Sequence, residues 1–343
     1  MTSEVSLDES YFQGVLSVER TAEGLRPWRL PHTKRHWFLS PDEGLMGRAA
    51  CTSGVRLRFE TESTVLTLRF RPLEEPGPVI PDRHCFDAVI DDRIIQVVRC
   101  GGGAEEAVFD TIGHGRRVVE LWLPPGCPVT ITGLLASDAA TVRAVPDPRP
   151  LWVTWGSSIT QCVRAGSAAR TWPATVARRH GLNLLNLGYG GQCYLDPAVA
   201  LVIRDLPARY LSLKLGINAA ISSNLNERTY QAMVAAAVAI IREKQPCTPL
   251  ALVSPIGFPR HETAPNAVGY TVTAMRRDLA TVHRCFVEAG DPNLHHVDGL
   301  AIFTVDEIGR YTRDQCHPNA EGIDLMADRF SALVMSRLMS ARQ

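Results

Sequence analysis

Lysine is nearly missing from this chain. Of its 36 basic residues only Lys34, Lys214 and Lys244 are lysines, and the rest are arginines. That bias is the mark of a GC-rich bacterial genome, with an actinobacterium the expected source, and it carries no chemistry of its own. An excess of charge is missing too. The 36 basic residues face 36 acidic ones, so no global field draws the chain to nucleic acid or to an anionic membrane. There is no CxxC pair. The nine cysteines stand singly between Cys51 and Cys316, an odd number that fits neither a disulfide framework nor a zinc site. The N-terminal stretch MTSEVSLDESYFQGVLSVER has no apolar run fit for a signal peptide or a membrane span. What remains is an ordinary globular composition, 45% hydrophobic and 21% charged over 343 residues, enough for two cores. The expectation is a cytoplasmic protein whose partner is a small molecule, with no metal or organic cofactor and an oligomeric state the sequence leaves open.

Two halves differ in period. Val55–Phe59 and Val65–Phe70 alternate apolar with polar residues, as strands do when one face is buried. Asp91-Asp92 interrupts two apolar runs as a tight hairpin would, and RRVVELWLPPGCPVTITGLLA adds two strands around a Pro-Gly turn. Short strands without a convincing helix predict an antiparallel, jelly-roll-like β-sandwich over residues 1–147. Three prolines within Val145–Pro150 then read as a linker. From there strands (Leu151–Trp155, Leu182–Leu187, Tyr210–Leu215, Leu250–Pro255, Leu294–Val297) alternate with helical stretches. That order predicts a three-layer α/β/α domain over 148–343, with a parallel sheet whose ligands sit at the carboxyl ends of the strands.

Those strand ends carry the chemistry. The first runs into Gly156-Ser157-Ser158, the second into Gly188, Gly190 and Gly191, and the third into Gly216-Ile217-Asn218. Glycines expose backbone N–H groups and an Asn amide adds a donor, as a developing oxyanion requires. Near the C-terminus Asp314 precedes His317 by three residues, a spacing at which a carboxylate can hold one imidazole nitrogen while the other faces a hydroxyl.

The pattern resembles the SGNH superfamily of GDSL-type serine esterases and acyltransferases, over roughly Leu151 to the C-terminus. Gly156-Ser157-Ser158-Ile159-Thr160 matches its first block, Gly191 its second, Asn218 its third, and Asp314 with His317 its DxxH block. The resemblance implies Ser158 as nucleophile, His317 as base and Asp314 as the acid that orients it. It also implies an oxyanion hole of the Ser158 and Gly191 N–H groups with the Asn218 amide. Two positions depart from the family pattern. Ser157 stands where an Asp is usual, which leaves Ser157 as the alternative hydroxyl and the bracing of the loop open, and Ala219 stands where an Asp often follows the Asn. A β-rich half before a GSSIT block resembles the subgroup that includes acyltransferases decorating bacterial natural products. The implied substrates are a small-molecule acyl ester or acyl donor and an alcohol acceptor, with the sandwich expected to wall one side of the Ser158 pocket and select a bulky alcohol.

Other readings stay in view. Cys162, Cys193 and Cys316 lie near the blocks as rival nucleophiles. His295-His296 with Asp298 offers metal-ligating types, but adjacent strand residues point to opposite faces. Arg164, Arg170 and the RPWRLPHTKRHW segment suit either an acidic substrate group or a structural role. A different function class also remains: a glycan- or glycoside-binding protein whose second domain is inactive.

Overall fold

The computed structural model describes residues 2–73, 84–138 and 140–341. Its N-terminal part is built of two antiparallel six-stranded sheets. One runs Ser17–Arg20, Leu25–Trp28, Val129–Ser137, Leu66–Pro72, Glu106–Phe109, with Thr2–Glu4 added to Val129–Ser137. The other runs Val142–Ala144, Arg56–Thr61, Arg117–Trp122, Cys85–Ile90, Arg93–Arg99, with Phe12–Gln13 beside Arg56–Thr61. The alternation legible in the sequence is the reason they form. Leu57, Phe59, Leu66, Leu68, Phe70, Val119 and Leu121 all point inward and are fully buried, each worth about 1.5–3 kcal/mol of burial. Asp91 and Asp92 both take the left-handed conformation (φ 49° and 59°), which a two-residue hairpin turn requires, and they join paired strands.

The fold adds one detail to the expected strands, and one helix that was not expected. The Pro124-Pro125-Gly126 turn does not close a hairpin: the strands on either side of it lie in different sheets. A rigid, donor-poor turn suits a chain leaving one ladder for another. The region also contains an α-helix, Gly44–Ala50, burying Leu45, Met46, Ala49 and Ala50. The Pro-rich stretch after it is no free tether. Val142–Ala144 is an edge strand, and the Asp147 carboxylate is fully buried between Arg56 (2.7 Å) and Arg149.

From Leu151 the chain builds a five-stranded sheet in the order Asn183–Gly188, Leu151–Gly156, Tyr210–Lys214, Leu250–Val253, Leu294–Val297, with parallel registers along the last four strands. Helices between the strands are set by their caps. Asn226 and Thr229 reciprocate hydrogen bonds to begin Glu227–Arg242, and Tyr230, Val234, Ala237, Val238 and Ile241 make its buried stripe. The fold is the three-layer α/β/α arrangement with a sandwich before it. By chain position the strand order is 2-1-3-4-5, so the winding reverses at Leu151–Gly156. The crevice at the carboxyl end of that strand is where such a sheet binds ligands.

The chain divides into two compact units, Met1–Arg149 with Cys162–Asn186, and Pro150–Gln161 with Leu187–Gln343. Within the first, the excursion Cys162–Asn186 is held by buried polar contacts. The Asp87 carboxylate accepts from Ser167 Oγ and from the Ala169 N–H at 2.7 Å, and Arg56 donates to Asn183 Oδ1 at 2.7 Å. Arg29, fully buried, donates to the carbonyls of Cys51, Arg48 and Asn186. This settles the RPWRL stretch at Arg29: it is scaffolding. Among the described residues no helix is long and apolar enough to cross a membrane.

Candidate active site

Leu151–Gly156 ends at a glycine because nothing larger fits. A Cβ on Gly156 would lie 2.3 Å from Thr160 Oγ1 and 3.1 Å from the Lys214 carbonyl oxygen. The chain then enters a four-residue helix, Ser158–Gln161, which Ser157 caps. The Ser157 hydroxyl accepts the Ile159 N–H at 3.3 Å, and its carbonyl accepts those of Thr160 and Gln161, each at 3.0 Å. Ser157 is 2% exposed. A hydroxyl in place of a carboxylate therefore still braces the turn, and it is engaged inward. Ser158 Oγ instead meets His317 Nε2 at 2.7 Å.

The histidine is placed by its own turn. Pro318 and the cap residue Asn319, which accepts the Gly322 N–H at 3.0 Å, start the helix Ala320–Phe330 immediately after it. Thr312 bridges to Pro318, and Gln315 takes a left-handed conformation (φ 58°), so the segment between them folds back on itself. Asp314 Oδ1 accepts the N–H groups of Cys316 (3.1 Å) and His317 (2.8 Å), and Oδ2 accepts from His317 Nδ1 at 2.8 Å. With the Nδ1 proton held there, the Nε2 lone pair is left to accept from the Ser158 hydroxyl.

Two backbone donors at these strand ends are unengaged. Neither the Ser158 nor the Gly191 N–H donates to any acceptor among the described residues. Gly191 takes the left-handed conformation (φ 70°) with open space where a Cβ would stand. Beside it, Gly190 backs onto Ser158: a Cβ there would lie 3.5 Å from Ser158 Cβ, and its N–H is held by Gln161 Oε1 at 2.8 Å. Asn218 Oδ1 accepts the Cys193 N–H at 3.0 Å, which turns the amide so that Nδ2 stays available. The structure thus links Ser158, His317 and Asp314 directly, and ties Asn218 to the loop that follows Gly191 through Cys193. Gln161 was passed over in the sequence; it lies one residue past the GSSIT block, where nothing about a lone Gln signals a brace.

Rival nucleophiles are disfavoured. Cys162, Cys193 and Cys316 are buried, at 5%, 2% and 8% exposure, and burial pushes the Cys193 thiol up to about 12. His295 and His296 lie on the strand Leu294–Val297, where burial lowers both imidazoles, and among the described residues no three ligating side chains converge. Lys214, at the end of the third strand, is 3% exposed, and burial pushes its ammonium down to about 8, against a smaller opposing pull from Cys316 and Cys193. A cavity of about 410 Å³ opens over the histidine, lined by Asp314 and His317 with Ile221, Phe258, Arg260 and Arg313.

The family model for GDSL-like lipase/acylhydrolase matches residues 150–335, and that for the SsfX3 N-terminal domain matches residues 10–127. The salicylyl-acyltransferase SsfX3 of a tetracycline biosynthetic pathway is similar over 99% of both chains, at 29% identity and a TM-score of 0.89. A protein of Bacteroides ovatus ATCC 8483 described as a GDSL-like lipase covers 99% of this chain and 98% of its own, at 21% identity and TM-score 0.79. A family two carbohydrate esterase from Clostridium thermocellum, solved with cellohexaose, covers 84% and 94%, at 15% identity and TM-score 0.64. The last two likenesses concern fold alone. No curated protein matches the chain.

Proposed function

The chain belongs to the GDSL-like lipase/acylhydrolase family and performs serine acyl-ester chemistry as an esterase or acyltransferase, and on that premise we propose that Ser158 is its nucleophile. The observation that carries this reading is the unbroken line Ser158 Oγ, His317 Nε2, His317 Nδ1, Asp314 Oδ2, with contacts of 2.7 and 2.8 Å, at the strand end where the sheet reverses its winding.

The chemistry follows from the hydrogen bonds. As Ser158 Oγ attacks the acyl carbonyl, its proton passes to His317 Nε2, and the charge gained by the imidazole is stabilised by Asp314, which stays ionised. The carbonyl oxygen becomes an oxyanion held by the Ser158 N–H, the Gly191 N–H and Asn218 Nδ2. Collapse expels the alcohol, protonated by His317 Nε2, and leaves the acyl group on Ser158. A second hydroxylic acceptor then gives its proton to the same nitrogen and takes the acyl group away. Every one of these steps is served by residues of this chain.

We read the natural acceptor as the hydroxyl of a bulky, polycyclic or glycosylated small molecule, so that transfer outweighs hydrolysis. Support comes from the end-to-end likeness to a salicylyl-acyltransferase, sandwich included. A cytoplasmic setting suits nine cysteines that form no disulfide among the described residues. The rival reading, a glycoside-binding protein with an inactive second domain, leaves the aligned Ser158, His317 and Asp314 without a task. The test is a fluorophosphonate probe followed by peptide mass spectrometry. The adduct is expected on Ser158; an adduct on Ser157 or on a cysteine, or none on a folded protein, would sink the assignment.

A further inference from the structure

The cavity beside His317 holds an imbalance of charge. Asp314 is the one carboxylate in its lining, and both of its oxygens are already engaged by His317 and by backbone N–H groups. The same lining holds two guanidinium groups, Arg260 and Arg313. Both are exposed, and neither forms an ion pair or a hydrogen bond among the described residues.

Their backbones, by contrast, are fixed. Arg260 lies in the turn Pro259–His261, just past a segment pinned by Arg276, a residue 7% exposed. Arg276 donates to the carbonyls of Pro255 (2.8 Å) and Ile256 (3.2 Å) and to both carboxylate oxygens of Glu262, whose Oε2 also accepts the Phe258 N–H at 3.1 Å. The Gly257 N–H is bonded to the Phe303 carbonyl at 2.9 Å, and a Cβ on Gly257 would meet backbone at 2.6 Å. Arg313 belongs to the turn that Asp314 closes and that Thr312 and Pro318 bridge. Two permanently charged, fork-shaped donors thus project from braced turns into a cavity whose other lining residues, Ile221, Phe258, Gln315 and Cys316, carry no charge to compensate them.

We infer that Arg260 and Arg313 form an anion-recognising subsite, and that the preferred substrate carries a carboxylate or phosphate on its acyl or alcohol portion, close to the ester. This inference rests on the acyl-ester reading of Ser158. An exposed arginine pair on its own is ordinary; unpaired arginines sharing a wall with the base and its acid bear on what that base acts upon. Because guanidinium groups do not titrate, the preference holds at any pH above the substrate's own acid pKa, and it weakens as salt rises.

The experiment uses the full chain and two matched pairs of esters. On the acyl side, p-nitrophenyl hemiglutarate is compared with its neutral isostere p-nitrophenyl isoheptanoate; on the alcohol side, p-acetoxybenzoate with its methyl ester. The wild type should favour the anionic member of one pair. Arg260→Gln with Arg313→Gln should lower that ratio of kcat/KM about tenfold, the scale of one charge-assisted contact, while the neutral ester and fluorophosphonate labelling stay within about twofold. Replacement of both by Lys should keep most of the preference. Ratios that do not move in either arm, or anionic and neutral esters that fall together, overturn the subsite. A wild type that turns over no ester and takes no probe is a different failure, that of the acyl-ester reading itself.

Discussion

Lys214→Met should stabilise this protein at neutral pH. Lys214 closes the central strand Tyr210–Lys214 at 3% exposure, and among the described residues no carboxylate pairs with it. Burial lowers its ammonium from 10.5 to about 8. At about 1.4 kcal/mol per tenfold change in proton affinity, the folded chain penalises the charged form by about 3 kcal/mol relative to the unfolded one. The sign is fixed by which state binds the proton. Below pH 8 both states carry it and the penalty is whole. Between pH 8 and 10.5 the folded state releases it first, so stability from this group rises with pH and the penalty fades. Methionine keeps most of the stem and loses the charge. The variant should therefore gain up to about 3 kcal/mol at pH 7 and progressively less toward pH 10. Paired urea titrations of wild type and variant, followed by tryptophan fluorescence at half-unit pH steps, measure the difference directly, and taking the difference removes the other groups that titrate in alkali. A variant less stable than wild type at pH 7, or a gain that does not shrink with pH, would refute the claim that Lys214 is a buried, unpaired cation.

Ser158→Ala should abolish ester turnover and probe labelling, whereas Ser157→Ala should keep both and lose about 1 kcal/mol of stability with the cap, read by thermal melt and p-nitrophenyl acetate assay. Asp314→Asn should fold normally yet lower kcat by orders of magnitude, since an amide can hold the wrong imidazole tautomer; about 10⁴ is the loss known for the same change in serine proteases. On the proposed mechanism, in which its amide serves the oxyanion and not the ground state, Asn218→Ala should cost about 10²–10³ in kcat with little change in KM; a loss confined to KM would remove it from the hole. In acid, Asp147 is the group to watch. Burial opposes its ionisation, yet the Arg149 hydrogen bonds and the Arg56 charge hold it at about 2 against 3.8. Its contribution is thus present above pH 4 and lost between about 4 and 2. Asp147→Asn should flatten that acid limb by roughly 2 kcal/mol, measured by urea unfolding.

The alternating strands around Phe59 and Phe70, the five apolar strands from Leu151 onward, and the helices begun by Asn226 and Asn319 were all legible in the sequence. Each is encoded locally, by a period of two, an apolar run or a cap. The short strands Ser17–Arg20 and Leu25–Trp28 were not, for they have too few residues to show a period and are held by pairing with each other and with Val129–Ser137. Nor was the place of Cys162–Asn186 legible. It reads as part of the second domain by sequence, but clusters with the first through Asp87, Arg56 and Arg29. A fragment cut at Leu151 would strip those partners from it, so it is a poor stand-in for an isolated second domain.

The same division runs through the site. Asp314 and His317 could be read from spacing because one turn, three residues long, makes their contact. The family pattern put the nucleophile at Ser158 by register, but two adjacent hydroxyls are chemically alike in sequence. Only the fold separates them: Ser157 is turned inward onto the Ile159 N–H, and Ser158 meets an imidazole 159 residues away. The chain's abundant arginines are likewise identical letters. Tertiary structure makes Arg29 and Arg276 buried braces and leaves Arg260 and Arg313 unpaired beside the base, because burial and charge compensation depend on neighbours brought from distant segments and no local pattern records them.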